Sequence, residues 1–559
     1  MNQGTHPIEA TPSAYAYPLL IKQLLHTPIL YAPDQQIVYR DLIRYTYKEF
    51  YSRIQQLASA LSSAGVGPGD TVAVLDWDSH RYLECFFAIP MMGAILHTVN
   101  IRMSREQILY SMEHAEDTVV LVNEEFLPLL QDHHGALKKV RSFVLLKDEE
   151  GVAETSIPIS EEYESMLSRA EKHFDFPEFH EDTQATLFYT TGTTGPPKGV
   201  YYSHRQLVLH TLSVAVAMGS YTAQGRFQSG DVYMPLTPMF HVHAWGFPYV
   251  ATMLGAKQVY PGRFLPEMIL RLVEKEDVTF SHCVPTILHA VINSPDAKAV
   301  DFSRWKVMVG GASFPKGLAL EALRLGIDVS AGYGMSETCP VLTVATLKPH
   351  MLGWDRERQA DIRIKTGFPI PLVALRIVDQ TGKDLPKDGH SPGEIVVRAP
   401  WLTQGYFKEQ QKSEDLWKGG WLHTGDIAHQ DGEGFVHITD RMKDVIKSGG
   451  EWISSLELEN LISQHEAVSQ VAVFGIPDAK WGERPAAMVI LKRPYEEEAF
   501  SASLNKHLQQ YLDRGVIAKW ALPEKVYVVK NIPKTSVGKI NKKEIRERFA
   551  DDTLSDLWR

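Results

Sequence analysis

The 559-residue sequence is poor in cysteine: Cys85, Cys283 and Cys339 lie far apart, with no CxxC pair or Cys/His cluster. Three scattered thiols exclude a disulfide framework and a structural zinc site, and they suit a reducing, cytoplasmic setting. Long hydrophobic runs are missing too. The longest, around Phe86–Leu96, falls well short of the ~20 residues of a membrane helix, so no integral membrane segment is expected. Residues Met1–Ala10 lack a basic stretch followed by an apolar run, which gives no sign of a secretory signal. Basic residues are the minority, 57 Lys and Arg against 68 Asp and Glu, for a net charge of −11. That balance argues against a nucleic-acid partner and requires local positive charge wherever an anion binds. Internal repeats and low-complexity tracts are also absent. What remains, 44% hydrophobic and 22% charged, is the composition of a soluble globular chain with large cores. Its length suggests about three or four lobes.

Up to about residue 440, strand-like runs alternate with helical periodicity. Thr46-x-x-Glu49 forms a capping-box pattern, and Phe50, Ile54, Leu57, Ala58 and Leu61 follow on one helical face. Gly65 is placed to end that helix, and Gly67-Pro68-Gly69-Asp70 turns the chain into a strand at Val72–Leu75. Short apolar runs recur at 119–122, 143–146, 186–189, 279–281 and 307–309. Strands spaced by helix-length segments predict parallel βαβ units and an α/β architecture. After the charged stretch Asp440–Asp444 the texture changes. A second capping pattern, Ser454-x-x-Glu457, opens a helix that turns Leu458, Leu461 and Ile462 inward. Strand-like runs at 471–474, 487–491 and 526–529, with a helix through Leu504 and Leu508, predict a small α+β domain.

The stretch Tyr189-Thr190-Thr191-Gly192-Thr193-Thr194-Gly195-Pro196-Pro197-Lys198-Gly199 packs hydroxyls, glycines and a lysine into eleven residues. Glycines let backbone N–H groups approach oxyanions, hydroxyls donate, and the lysine adds charge. A Walker P-loop places Gly before its Lys and Ser or Thr after. Here Pro197 precedes Lys198 and Gly199 follows, so that reading fails. A flexible surface loop remains the alternative on composition alone.

This loop resembles the phosphate loop of the adenylate-forming superfamily, and four further signatures follow in the family's order. They are Gly332-Tyr333-Gly334-Met335-Ser336-Glu337-Thr338, Trp421-Leu422-His423-Thr424-Gly425-Asp426, Asp440-Arg441-Met442-Lys443-Asp444 with Lys447-Ser448-Gly449-Gly450-Glu451, and Pro533-Lys534-Thr535-Ser536-Val537-Gly538-Lys539. The resemblance implies a large N-terminal α/β domain with sub-lobes (1–440), a hinge (441–445) and a small mobile C-terminal lid (446–559). It also implies a two-step ligase. A carboxylate attacks the α-phosphate of ATP, releasing pyrophosphate, and the thiol of coenzyme A then displaces AMP from the acyl-AMP.

Roles follow by the same resemblance. Thr190, Thr191, Gly192, Thr193, Thr194, Gly195 and Lys198 cradle the phosphates. Tyr333, between Gly332 and Gly334, stacks on adenine, with Ser336 in the same motif and Gly311 backing the adenine and acyl chain. Glu337 and Thr190 are the expected Mg²⁺ ligands. Asp426 accepts the ribose hydroxyls and Arg441 reaches the ribose or phosphates. Lys539 bridges the substrate carboxylate and the α-phosphate during adenylation. Lys443 occupies a hinge position where many members carry Asp, Gly449 and Gly450 line the pantetheine path, and Lys447 assists at a phosphate. In Pro238-Met239-Phe240-His241-Val242-His243-Ala244-Trp245, His241 faces the carboxylate or thiol path and Trp245 gates the acyl pocket. A satisfied core histidine and a core tryptophan are the plainer readings of those two residues.

The segments at 239–245 and 448–454 look closest to the fatty-acyl branch of the acyl-CoA synthetases. A medium- or long-chain fatty acid is therefore expected, with a small branched, aryl or thioether acid, or luciferase-like oxygenation of an acyl-AMP, as alternatives. Met1–Ile37 is a candidate homodimer contact.

Overall fold

The computed structural model describes residues 6, 8–149, 155–190, 196–220, 225–449, 451–493, 497–535 and 538–551. The expected capping box forms. Glu49 N donates to Thr46 Oγ1 (3.2 Å), and Thr46 N donates to Glu49 Oε2 (2.7 Å). They start the helix Tyr47–Ser63, which buries Phe50, Ile54, Leu57, Ala58 and Leu61. Each large side chain so buried contributes ~1.5–3 kcal/mol. Gly65, at φ +83°, takes the chain out of the helix into strand Thr71–Leu75.

That strand is central in a seven-stranded sheet ordered Ile159–Glu162, Ser142–Leu146, Asp117–Asn123, Thr71–Leu75, Ile95–Thr98, Gln184–Thr190, Lys198–Ser203. All pairs are parallel except the last, Gln184–Thr190 with Lys198–Ser203. The apolar run near residue 86 forms the helix His80–Met91, buried along its whole length. Among the described residues no helix is long and apolar enough to cross a membrane.

A nine-stranded sheet has a parallel centre that includes Val232–Pro235, Phe280–Cys283, Lys306–Gly310 and Asp328–Gly334, with antiparallel strands at both edges. A buried carboxylate links elements flanking the two sheets. Glu84 accepts from Tyr45, Tyr163 and Arg53 at 2.8, 2.6 and 2.6 Å.

Residues 374–441 depart from the expected helix–strand alternation. Ala374–Val378, Gly393–Arg398, Leu422–Gln430 and Val436–Arg441 form a four-stranded antiparallel sheet. These strands are only partly buried and interrupted by polar residues, so their periodicity is weak.

Beyond residue 445, Ile446–Ser448, Glu451–Ile453, Val468–Asp478, Gly482–Leu491 and Lys525–Val528 build a separate five-stranded sheet. It carries helices Ser455–Ser463, Glu497–Asp513 and Lys542–Ala550 and has its own apolar clusters. The second capping pattern is only half realised. Ser454 Oγ accepts from Glu457 N (3.0 Å) and donates to Thr439 O, but the return bond from Ser454 N to the Glu457 side chain is not made, so no full box forms.

Candidate active site

Strands Lys306–Gly310 and Asp328–Gly334 run parallel, with Gly310 opposite Gly332. The carboxyl ends of such neighbours are where α/β sheets open a ligand crevice. The chain then doubles back so tightly that a Cβ on Gly334 would lie 1.7 Å from Pro340 O, which only glycine avoids. The crevice is lined by His241, Trp245, Gly311, Gly332, Tyr333, Gly334, Ser336 and Lys539. Residues up to 298 apart in sequence, His241 and Lys539, thus converge on one cleft.

Lys539 enters from the C-terminal part. Gly538, at φ +83°, presents its carbonyl to Thr286 Oγ1, which donates to it at 2.8 Å. The Lys539 side chain then lies over Gly311, its Cε 3.1 Å from where a Cβ would stand. Burial, with Arg441 nearby, pushes its ammonium down to about 8. Burial and the Lys539 charge push His241 down to about 3, so it faces the cleft as neutral imidazole.

Asp426 is buried at 4% exposure and already engaged: Tyr333 OH donates to Oδ2 (2.8 Å) and Arg441 Nε lies 3.3 Å from Oδ1. Burial and Asp426 hold the Tyr333 phenol protonated, so it remains a donor. A ribose diol at this carboxylate would share it with both partners.

In the other sheet, Thr190 ends its strand opposite Lys198. Thr191, Gly192, Thr193, Thr194 and Gly195 lie outside the described residues, as does Gly450. Glu337 is buried and accepts from Tyr406 OH at 2.7 Å.

Trp245 lines the cleft at the strand end, its Cη2 3.1 Å from a Cβ position on Gly310. It caps an unusual turn: Val242, His243, Ala244 and Trp245 all have positive φ, 47°, 54°, 46° and 59°. Left-handed backbone costs a non-glycine residue ~1–2 kcal/mol. Both ring nitrogens of His243 are buried without a partner. Behind Trp245 the space is filled by rings: His282 at 5.1 Å, Phe247 stacked on His282 at 4.8 Å, and Phe280 beyond at 5.2 Å.

Lys443, Lys447 and Gly449 are not in the cleft. All three are exposed, Lys443 in the turn after Arg441 and the other two on the hairpin of Ile446–Ser448 and Glu451–Ile453. Lys447 N donates to Glu483 Oε2 (2.9 Å), and Gly449 N to Trp481 O (2.8 Å).

Comparison with known proteins agrees with this geometry. The AMP-binding enzyme family matches residues 30–407, and the AMP-binding enzyme C-terminal domain matches 457–539. A long-chain-fatty-acid–CoA ligase of Thermus thermophilus is 42% identical over 509 residues, covering 90% of each chain. The chain belongs to the AMP-binding enzyme family, as an acyl-CoA synthetase. A 3-methylmercaptopropionyl-CoA ligase of Ruegeria lacuscaerulensis is 37% identical over 541 residues, covering 96% of this chain and 98% of its own. The crystal structure of an anthranilate–CoA ligase with anthranoyl-AMP shares the fold, with TM-score 0.83 at 23% identity over 96% and 98% of the two chains.

In this synthetase, some neighbours of the site carry no sequence signal of their own. Tyr406 meets Glu337 across 69 residues, and Thr286 meets Gly538 across 252. Trp481 and Trp520, 46% and 51% exposed, border the Gly449 hairpin; Arg484 bonds Trp520 O (2.7 Å) and Ser448 Oγ (3.4 Å). Only the exposure of large indoles, invisible in sequence, marks them.

Proposed function

We propose that the protein is an ATP-dependent carboxylic acid–CoA ligase whose substrate is a medium- or long-chain fatty acid. The observation that carries the reading is Lys539, held over Gly311 in the cleft that also contains Tyr333 and His241. The acid's oxygen attacks the α-phosphorus and the bond to pyrophosphate breaks. Lys539 offsets the repulsion between the two anions, while Tyr333, Asp426 and Arg441 orient the nucleoside. Neutral His241 donates or accepts a hydrogen bond without adding charge.

Lys198, at the start of its strand opposite Thr190, would meet the leaving phosphates. Glu337 and Thr190 would hold Mg²⁺, which supplies charge neutralisation on the phosphates. Their hard oxygens fit that ion.

In the second half-reaction the CoA sulfur attacks the acyl carbonyl, its proton is released, and AMP leaves. For this the 446–559 domain turns about 441–445, replacing the Lys539 face by the face that carries Gly449. Lys447, Trp481 and Trp520 lie on that face, where exposed indoles offer stacking surface to an adenine.

A second reading, a small thioether or branched acid, is favoured by the rings packed behind Trp245. A longer chain needs the left-handed turn 242–245 to move. A homodimer through 1–37, which exposes Tyr15, Tyr17, Leu30 and Tyr31, and a cytoplasmic setting for the three buried free thiols belong to the same proposal.

The experiment is pyrophosphate release and thioester formation across acids of increasing chain length, with and without CoA. Thioester made only with ATP and CoA, peaking at medium or long chains, is expected. Oxygen consumption or light without thioester would overturn the ligase reading, and a peak at short thioether acids would select the second substrate.

A further inference from the structure

Tyr406 belongs to none of the segments that carry the nucleotide-binding pattern, yet it touches two of them. Its segment is laced to the strand that begins at Lys198: Val200 and Tyr406 form an antiparallel bridge, and Phe407 N donates to Gly199 O at 2.8 Å. From the same segment Thr403 N donates to Glu337 O (3.0 Å) and Thr403 Oγ1 to Tyr201 O (3.1 Å). Tyr406 N is itself fixed by Ser413 Oγ at 2.8 Å.

Within this frame the side chain, 9% exposed, works at both ends. The Lys198 ammonium stands 4.3 Å from the ring centroid, and the hydroxyl donates to Glu337 Oε1 at 2.7 Å. A cation over an aromatic face is held by the ring quadrupole, and a hydrogen-bonded carboxylate keeps one orientation. An opposed pair of charges is thus kept apart and aimed by one rigid neutral side chain between them.

We propose that Tyr406 is a positioning residue that sets Lys198 and Glu337 for joint capture of a nucleoside triphosphate and its divalent cation. This rests on the assignment of Lys198 and Glu337 to the phosphates and the cation. The hydroxyl serves the cation side and the ring serves the phosphate side, so the two functions separate by substitution.

The test is calorimetric titration of the full-length protein with ATP plus Mg²⁺ and with ATP plus EDTA, and the Mg²⁺ midpoint of pyrophosphate release. Tyr406→Phe keeps the ring, and it should raise the Mg²⁺ midpoint roughly tenfold while leaving ATP–EDTA affinity unchanged. Tyr406→Leu should in addition weaken ATP–EDTA binding by about three- to fivefold. In a Glu337→Gln background Tyr406→Phe should have no further effect on the Mg²⁺ midpoint, which a general loss of packing would not reproduce. If Tyr406→Phe leaves the Mg²⁺ midpoint unmoved, or weakens both titrations equally, the inference fails. If Lys198→Met and Glu337→Gln themselves leave MgATP binding unchanged, the underlying assignment fails instead.

Discussion

Two lysine-bearing faces of the C-terminal domain are opposite in character. Lys539 is buried in the cleft against Gly311, with its ammonium pushed down to about 8. Lys447, on the Gly449 hairpin, is exposed and away from the cleft lining. A residue kept solvated needs no partner, whereas a desolvated ammonium is held at a penalty that an incoming anion relieves. Under the proposed turn of the C-terminal domain, the comparison predicts that the two half-reactions are lost separately.

The largest effect is expected from Lys539→Ala. Acyl-AMP formation should fall by about 10²–10³-fold, the scale of losing a preorganised charge-stabilising group. Thioester formation from supplied acyl-AMP should survive within a few-fold. Equal loss in both assays would erase the distinction between the faces.

The reciprocal change is Gly449→Leu, which places bulk beside Trp481 on the exposed hairpin. Adenylation, read as pyrophosphate exchange, should stay near wild type, while thioester formation falls by roughly ten- to a hundredfold. Lys443→Pro, which fixes φ in the turn after Arg441, should give the same pattern. Loss of adenylation in either variant would show that the hairpin or turn supports the cleft directly.

The reach of sequence reasoning divides along similar physical lines. The Thr46 box was legible because both partners lie within one helical turn, and their bonds compete with nothing else. Its twin at Ser454 formed only the half in which Ser454 Oγ accepts from Glu457 N, while the Ser454 hydroxyl donates to Thr439 O of another sheet. The signature residues of the cleft were legible as a set, and Lys539, Tyr333 and His241 do converge. The backbone of 242–245 was not, since Val-His-Ala-Trp contains no glycine to announce a left-handed turn. Tyr406 and the exposed indoles gain their meaning only from distant contacts or from solvent exposure, which no local pattern encodes. The antiparallel sheet at 374–441 escaped because half-buried strands alternate poorly.

A smaller effect comes from pH. In the free enzyme Lys539 loses its proton near pH 8, so adenylation kcat/KM for the acid should fall above that value. Lys539→Arg, permanently charged, should remove that limb even if its rate is low. The sign for stability runs the other way. The folded value lies below the ordinary 10.5, so between about 8 and 10.5 the unfolded chain binds more protons, and folding gains stability as pH rises. Below pH 8 the buried charge is a full penalty. Lys539→Met should therefore melt at a slightly higher temperature than wild type at pH 7, with the gap closing toward pH 10.5.

The smallest expected effect concerns Trp245. Trp245→Ala removes the ring over Gly310 and leaves the left-handed backbone of the turn as it is, without touching Lys539, Asp426 or Glu337. Adenylation of short acids should change by no more than about threefold, because the groups around the α-phosphate are intact. KM for longer chains should drop several-fold, since the chain no longer has to displace an indole that packs on His282. Trp245→Phe should lie between the two. If instead every chain length loses activity in parallel, Trp245 is a structural wall of the cleft, and chain selection rests on the Phe247 and Phe280 rings behind it.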